Sequence, residues 1–392
     1  MRRDIRIIFA GGGTGGHVFP AIYMASYFKK HWGADCQFIG TKNGFENTKV
    51  PQSGFLIRHI WISGFRRGFY PGNVLFPLKL IISSMQCRKI LKEIRPHLVI
   101  GTGGYVAGPV LRQAVKMNIS TAIQEQNSYP GVTTRLLAPD VDCVFLAYKD
   151  AAKFLKKVKK CIVSGNPVKE NITVDDPEAA RKYFGIKNKL PVILIFGGSQ
   201  GARHLNQAIA ELLDKKSLSH VQLIWQTGNA AFEFYKKKYQ DFKGQNLCML
   251  PFIDRMDYAY TISDLAITRA GAMTISELAA AALPAILVPY PYAAADHQDK
   301  NARSVEKSGG AVLIDDKPGL AAVLLETIQN LLAQPQKIKE MGDCIHRLHN
   351  EHTMDLISAE LGSLIDKNYT NSNEYKVNGK KKGNDQQTVI PG

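Results

Sequence analysis

At 392 residues, with 45% hydrophobic and 21% charged side chains, the chain has the composition of a folded soluble protein long enough for two or three domains. No apolar run reaches the roughly 18 residues of a membrane span, and six scattered cysteines without a CxxC argue against a disulfide framework or a zinc ribbon. The net charge of +16, from 50 basic and 34 acidic residues, fits an anionic partner: nucleic acid, lipid headgroups or a phosphorylated substrate.

The N-terminus, MRRDIRIIFAGGG, has basic residues and a short apolar run but no cleavage site, so the run reads as a first strand and the protein as cytoplasmic. Strand-like runs then alternate with helix-like stretches. They fall at 5–10, 36–40, 97–101, 120–125 and 143–147, and in the second half at 160–165, 191–198, 221–228, 246–250, 265–271, 284–290 and 311–315. This alternation marks parallel sheets flanked by helices. Both halves open with a strand, a glycine loop and a helix, at 5–28 and 193–213. The expectation is an α/β protein of two Rossmann-like domains, residues 1–164 and 165–345. A last helical stretch, 339–366, is expected to pack back onto the first domain over 346–366, and a polar tail, 367–392, is disordered. Ligands of such sheets bind beyond the carboxyl ends of the strands. Two domains facing each other would make a cleft with a site on each wall.

Residues 11–16 are Gly-Gly-Gly-Thr-Gly-Gly. Gly11, Gly13 and Gly16 match GxGxxG, but the second strand ends in Thr41 and Lys42 rather than the carboxylate that would hold a ribose. NAD is therefore disfavoured, while NADP, which tolerates a basic residue there, stays open. Successive backbone N–H groups in such a loop can face an anion, aided by the dipole of the following helix. A second glycine loop, GTGGYVAGP (101–109), ends another strand, and two such loops suit a diphosphate. His17 follows the first loop and can exchange a proton near neutral pH. Glu125, Gln126 and Asn127 end a further strand at the same rim, where loop capping is the competing role.

In the second half, FGGSQGA (196–202) offers Ser199 among glycines, a phosphate loop that is neither a Walker motif nor GxGxxG. Gly271, Ala272, Met273 and Thr274 precede a helix whose N-terminus can face phosphate. Glu277, in its first turn, can accept two hydrogen bonds from ribose hydroxyls or merely favour the helix dipole. His297, Gln298 and Asn301 follow on a loop and helix start.

Three signals point elsewhere. Asp140–Asp142 (DVD) looks like a metal motif but precedes a strand instead of ending one, and reads as solvated acids. His346, His349 and His352 do not share one helix face, since six residues turn through about 240°. The stretch 64–94 interleaves Val74, Leu75, Phe76, Leu78, Leu80, Ile81 and Ile82 with Lys79 and other basic residues. Core packing accounts for many of these, yet a basic-flanked apolar patch is also how a soluble enzyme rests on an anionic bilayer.

The motifs GGGTGGHVFPA, GTGGYVAGP, QEQN, GNPV, GGSQGA, AGAMTISELAAAALPAILVPYP and DHQDKNA occur in that order, and the chain over about residues 4–360 resembles the MurG family of bacterial N-acetylglucosaminyltransferases. The resemblance implies a GT-B fold without cofactor or metal. It implies inverting transfer of N-acetylglucosamine from UDP-GlcNAc to the C4 hydroxyl of the muramyl sugar of lipid I, giving lipid II for peptidoglycan. By the same resemblance Gly13, Thr14, Gly15, Gly16, Gly103, Gly104 and Tyr105 face the acceptor diphosphate. Asn127, Lys169, Ser199, Ile253, Met273, Thr274, Glu277 and Gln298 face the donor, with Thr14, Gly15 and Gly16 reaching it too. His17 or Glu125 is the general base. Lys169 stands where the family commonly has arginine, and lacks its two-pronged geometry. The implied partners are an anionic membrane surface on the cytoplasmic side, approached through the 74–82 patch, and other cell-wall synthesis proteins. Competing readings are a UDP-GlcNAc 2-epimerase-like enzyme and a non-catalytic nucleotide-sugar sensor at the membrane. Nucleic-acid binding ranks last, because no recognised module or stacking surface is present.

Overall fold

The computed structural model describes residues 4–64, 74–186, 189–197, 202–240, 247–293 and 296–366. Ser199 and the tail 367–392 lie outside the described residues. Strands β1 (Arg6–Gly11), β2 (Asp35–Gly40), β3 (Leu56–His59), β4 (Leu98–Gly103), β5 (Ser120–Glu125), β6 (Cys143–Leu146) and β7 (Cys161–Val163) form one sheet, in the order β3-β2-β1-β4-β5-β6-β7. Strands β8 (Val192–Phe196), β9 (Gln222–Gln226), β10 (Leu247–Leu250), β11 (Leu265–Thr268), β12 (Ala285–Leu287) and β13 (Ala311–Leu313) form the other, in the order β10-β9-β8-β11-β12-β13. Every pairing is parallel.

The central strands read as unbroken apolar runs because helices cover both faces of each sheet. In β1, Ile7 and Phe9 enter one core while Ile8 and Ala10 enter the core on the opposite face. In β8, Ile193 and Ile195 face one way and Val192, Leu194 and Phe196 the other. Each large side chain buried in this way contributes about 1.5–3 kcal/mol relative to exposure.

Four departures from the sequence expectation have physical causes. β3 has exposed Leu56 and Arg58 alternating with half-buried neighbours, so this edge strand carries no apolar run. The strand near 160–165, grouped by sequence with the second half, pairs with β6 as the far edge of the first sheet (Val144↔Cys161). Residues 148–161, lysine-rich and helix-like by sequence, make only a short 3-10 turn, Lys149–Phe154, and Lys157 lies in the left-handed region (φ +54°) where a helix would have to continue. The 339–366 stretch divides: the helix Pro335–His346 packs Met341 and Ile345 into the second domain, whereas a helix over 353–366 packs Ile357, Leu361 and Ile365 against Phe9 and Phe28 of the first.

The chain thus passes between the domains twice, and the two passages touch. Asn350 Nδ2 and Thr353 Oγ1 both donate to the Ser164 carbonyl, at 2.9 and 2.8 Å.

Candidate active site

Strand order reverses between β1 and β4 in the first sheet and between β8 and β11 in the second. Crevices for ligands open at such reversals, beyond the carboxyl ends of the strands. Here both crevices open onto one cavity of about 1450 Å³ between the domains. Thr14, Gly15, Gly16, His17 and Asn127 line one wall, and Met273, Thr274, Glu277 and Gln298 the other.

On the first wall the two glycine loops touch. A Cβ on Gly104, whose φ is +75°, would lie 2.3 Å from the Gly12 carbonyl oxygen, so only glycine allows this approach. A Cβ on Gly103 would lie 2.9 Å from His17 Nε2. The Tyr105 ring lies beside Gly13. His17 Nδ1 lies 3.3 Å from the Gly12 carbonyl oxygen and 3.3 Å from Thr14 Oγ1. A carbonyl only accepts, so that contact calls for a proton on Nδ1 and leaves Nε2 as the basic nitrogen. Burial lowers the His17 pKa below the usual imidazole range; Glu125, the Gly12 carbonyl and Glu46 oppose the shift, and His297 adds to it.

The glycine loop is not a fully open anion nest, because the Gly13 N–H donates to Glu46 Oε2 at 2.9 Å. Glu125 is equally committed. Its Oε1 accepts from the backbone and side-chain nitrogens of Asn127, and its Oε2 from Gly131 N–H and Thr134 Oγ1, at 2.6 Å for the latter. Asn127 therefore reaches the cavity from a loop that Glu125 organises.

On the second wall, the helix Ala272–Ala280 points its N-terminus, with Gly271, Met273 and Thr274, at the cavity. Glu277 accepts from Tyr23 Oη and from Tyr260 Oη, both at 2.8 Å. Burial raises its pKa above the usual carboxylate range, against the pull of the two phenols and Lys169. Lys169 Nζ lies 3.1 Å from Asp257 Oδ2, a carboxylate that Arg255 also grips with two bonds. The charge of Lys169 is thus shared with Asp257. The Ile253 N–H donates to Gln226 Oε1, and Gln298 Oε1 accepts from Tyr290 N–H, both at 2.9 Å.

Several residues that the sequence does not single out also build the site. Tyr23 comes from the first domain and joins it to Glu277. Lys49 crosses the cleft to Asp254 at 3.2 Å and covers the Phe252 ring at 3.9 Å. Arg269 and Asp316 form a buried ion pair at 2.8 Å beneath the second wall. Asn166 accepts from Gln124 Nε2 and donates to the Gln126 carbonyl and Ser276 Oγ, tying β5 to the helix that carries Glu277. Each partner is remote in sequence, and only the polar Asn within GNPV hinted at one of them.

Asp142 accepts from Thr121 N–H and hydroxyl and pairs with Lys159, which gives this acid of the DVD run a structural role. Among the described residues no group of three or more His, Cys, Asp or Glu side chains is arranged to hold a metal ion.

On the helix Phe76–Ile94, Ser83, Cys87 and Leu91 are buried one turn apart. Leu78, Ile81 and Met85 form an exposed stripe, preceded by exposed Val74 and Leu75, while Phe76 and Ile82 are half-buried. Lys79 turns to Ser63 Oγ at 2.9 Å. Among the described residues no helix is long and apolar enough to cross a membrane.

Residues 7–146 match the glycosyltransferase family 28 N-terminal domain, and residues 192–357 its C-terminal domain. A UDP-N-acetylglucosamine--N-acetylmuramyl-(pentapeptide) pyrophosphoryl-undecaprenol N-acetylglucosamine transferase of Acetivibrio thermocellus is 40% identical over 340 residues, 86% of this chain and 92% of that one. A protein of the same name from Parabacteroides distasonis is 39% identical over 368 residues, 93% of this chain and all of the other. The crystal structure of Acinetobacter baumannii MurG superposes with a TM-score of 0.66 at 28% identity, covering 93% of this chain and 99% of that chain. Two parallel sheets facing one cavity, two family 28 domains and these relatives together make the chain a member of the MurG family of GT-B hexosyltransferases.

Proposed function

We propose that this enzyme transfers N-acetylglucosamine from UDP-GlcNAc to the C4 hydroxyl of the muramyl sugar of lipid I. The observation that carries the reading is the shared cavity, with a basic imidazole on one wall and a helix N-terminus beside a carboxylate on the other. Residues 1–164 hold the acceptor: the loops at Thr14–Gly16 and Gly103–Tyr105 take its diphosphate, the Gly13 N–H being bonded to Glu46. Residues 165–345 hold the donor. Ile253 lies against the base, and Glu277 accepts from the ribose hydroxyls. Met273 and Thr274 face the diphosphate, and Asn127 and Gln298 face the sugar.

His17 Nε2 takes the proton from the C4 hydroxyl as its oxygen attacks the anomeric carbon. The glycosidic bond to the diphosphate breaks on the opposite face, inverting the centre. The leaving UDP carries the negative charge towards the N-terminus of the helix Ala272–Ala280. The four hydrogen bonds of Glu125 favour His17 as the base and make Glu125 the organiser of the Asn127 loop. The enzyme rests on the cytoplasmic face of the membrane through the exposed stripe of the helix Phe76–Ile94, where its lipid substrate resides.

The test is UDP release from purified protein given UDP-GlcNAc and a lipid I analogue. Release that requires the acceptor supports transfer. Epimerised sugar without acceptor, or binding without turnover, would overturn it.

A further inference from the structure

A carboxylate that takes no part in the mechanism above lies directly behind it. Glu46, on the helix Glu46–Gln52, is 1% exposed. Its Oε1 accepts from Thr41 N–H at 2.9 Å and Thr41 Oγ1 at 2.8 Å, and its Oε2 accepts from Gly13 N–H at 2.9 Å. Space for it is cleared by glycines: a Cβ at Gly12 would lie 2.7 Å from its Oε1, and one at Gly44 would lie 2.1 Å from the same atom. Burying a carboxylate is costly unless its oxygens are satisfied, and here three donors converge on it.

The Gly13 N–H and the Gly12 C=O belong to one peptide group. Glu46 accepts from its nitrogen side, and His17 Nδ1 lies 3.3 Å from its oxygen side. A hydrogen bond to the N–H of an amide polarises it and strengthens its carbonyl as an acceptor. We propose that Glu46 is a positioning residue that acts on His17 through the Gly12–Gly13 peptide, holding the proton on Nδ1 and Nε2 as the acceptor. The arrangement does the work of a carboxylate bonded directly to a histidine, with a peptide plane between them. Glu46 and Glu125 favour the protonated imidazole; burial and His297 oppose it. The inference rests on His17 as the base.

In the wild-type protein, the nitrogen shifts of His17 in a long-range 1H–15N correlation spectrum, assigned by comparison with His17→Ala, should report a neutral imidazole protonated on Nδ1. An Nε2-protonated ring would overturn the proposal without any variant of Glu46. In Glu46→Gln, the amide group must face at least one of the three donors. The His17 titration should then move to lower pH, because one negative charge is gone. The kcat should fall on the order of ten- to a hundredfold, as for a misaligned catalytic group. UDP affinity, carried chiefly by residues 165–345, should hold. Glu46→Asp keeps the charge but not the reach, and should lose kcat with less movement of the titration. A folded Glu46→Gln with unchanged kcat and an unchanged His17 titration would also overturn the proposal. If His17→Ala kept wild-type kcat while the tautomer still followed Glu46, the assignment of the base would fail and the coupling would stand.

Discussion

Two titratable groups face each other across the cavity, and each should leave its own kinetic signature. A protonated His17 cannot accept a proton, and burial places its pKa below the usual imidazole range. Turnover at saturating substrates should therefore persist to more acid pH than a free histidine would allow, and fall only beneath that point. Glu277 titrates above the usual carboxylate range, and its protonated form loses an acceptor. The KM for UDP-GlcNAc should rise as pH falls through that value, because a protonated carboxyl accepts less well from the donor. Initial rates across pH at varied donor separate the two. His17→Ala should lower kcat about 10²–10⁴-fold, the usual worth of a general base, with UDP affinity intact by calorimetry. Glu277→Gln should weaken UDP about tenfold, the scale of a hydrogen bond to a charged acceptor.

The glycine loops and the exposed helix make the predictions at the level of single elements. In Gly104→Ala, the new methyl group would meet the Gly12 carbonyl in a left-handed backbone. A loss of about 1–3 kcal/mol is expected from strain of this kind, read as a lower melting temperature together with lost turnover at retained UDP affinity. Ile81→Ser, on the exposed stripe, should leave the melting temperature unchanged and weaken co-sedimentation with anionic vesicles about tenfold, the worth of one aliphatic side chain. What sequence could convey follows from the same contrast. β1, β4, β5 and β8 were legible because both their faces are buried. β3 was not, because an edge strand of four residues alternates polar and apolar. The loops were legible because close approach of backbone demands glycine. Tyr23, Tyr260 and Glu46 were not, because their importance arises from partners distant along the chain, and Tyr23 sits on a helix where an aromatic residue reads as ordinary core. The anion nest was overstated, since Glu46 occupies the Gly13 N–H.

At the scale of the whole molecule, the walls are held in register by a few polar contacts: Tyr23 to Glu277, Lys49 to Asp254, and Asn166 to Gln124, Gln126 and Ser276. Asn166 is the most buried of the three that reach across. Asn166→Ala would strand the Gln124 amide nitrogen and the Gln126 carbonyl, at about 1–3 kcal/mol for each unsatisfied group. The expected result is a lower melting temperature and a raised donor KM, with the His17 titration unmoved; an unchanged KM in a destabilised protein would show that this link does not govern alignment of the walls.

The return of residues 353–366 to the first domain also has a consequence during synthesis. Chains emerge from the ribosome N-terminus first, yet the first-domain core that contains Phe9 and Phe28 is completed by Ile357, Leu361 and Ile365. The half made earliest is finished last, after the whole second half has been translated. A nascent fragment ending near Ser164 should therefore display a sticky apolar furrow, bind hydrophobic dyes and call on chaperones until the closing helix arrives.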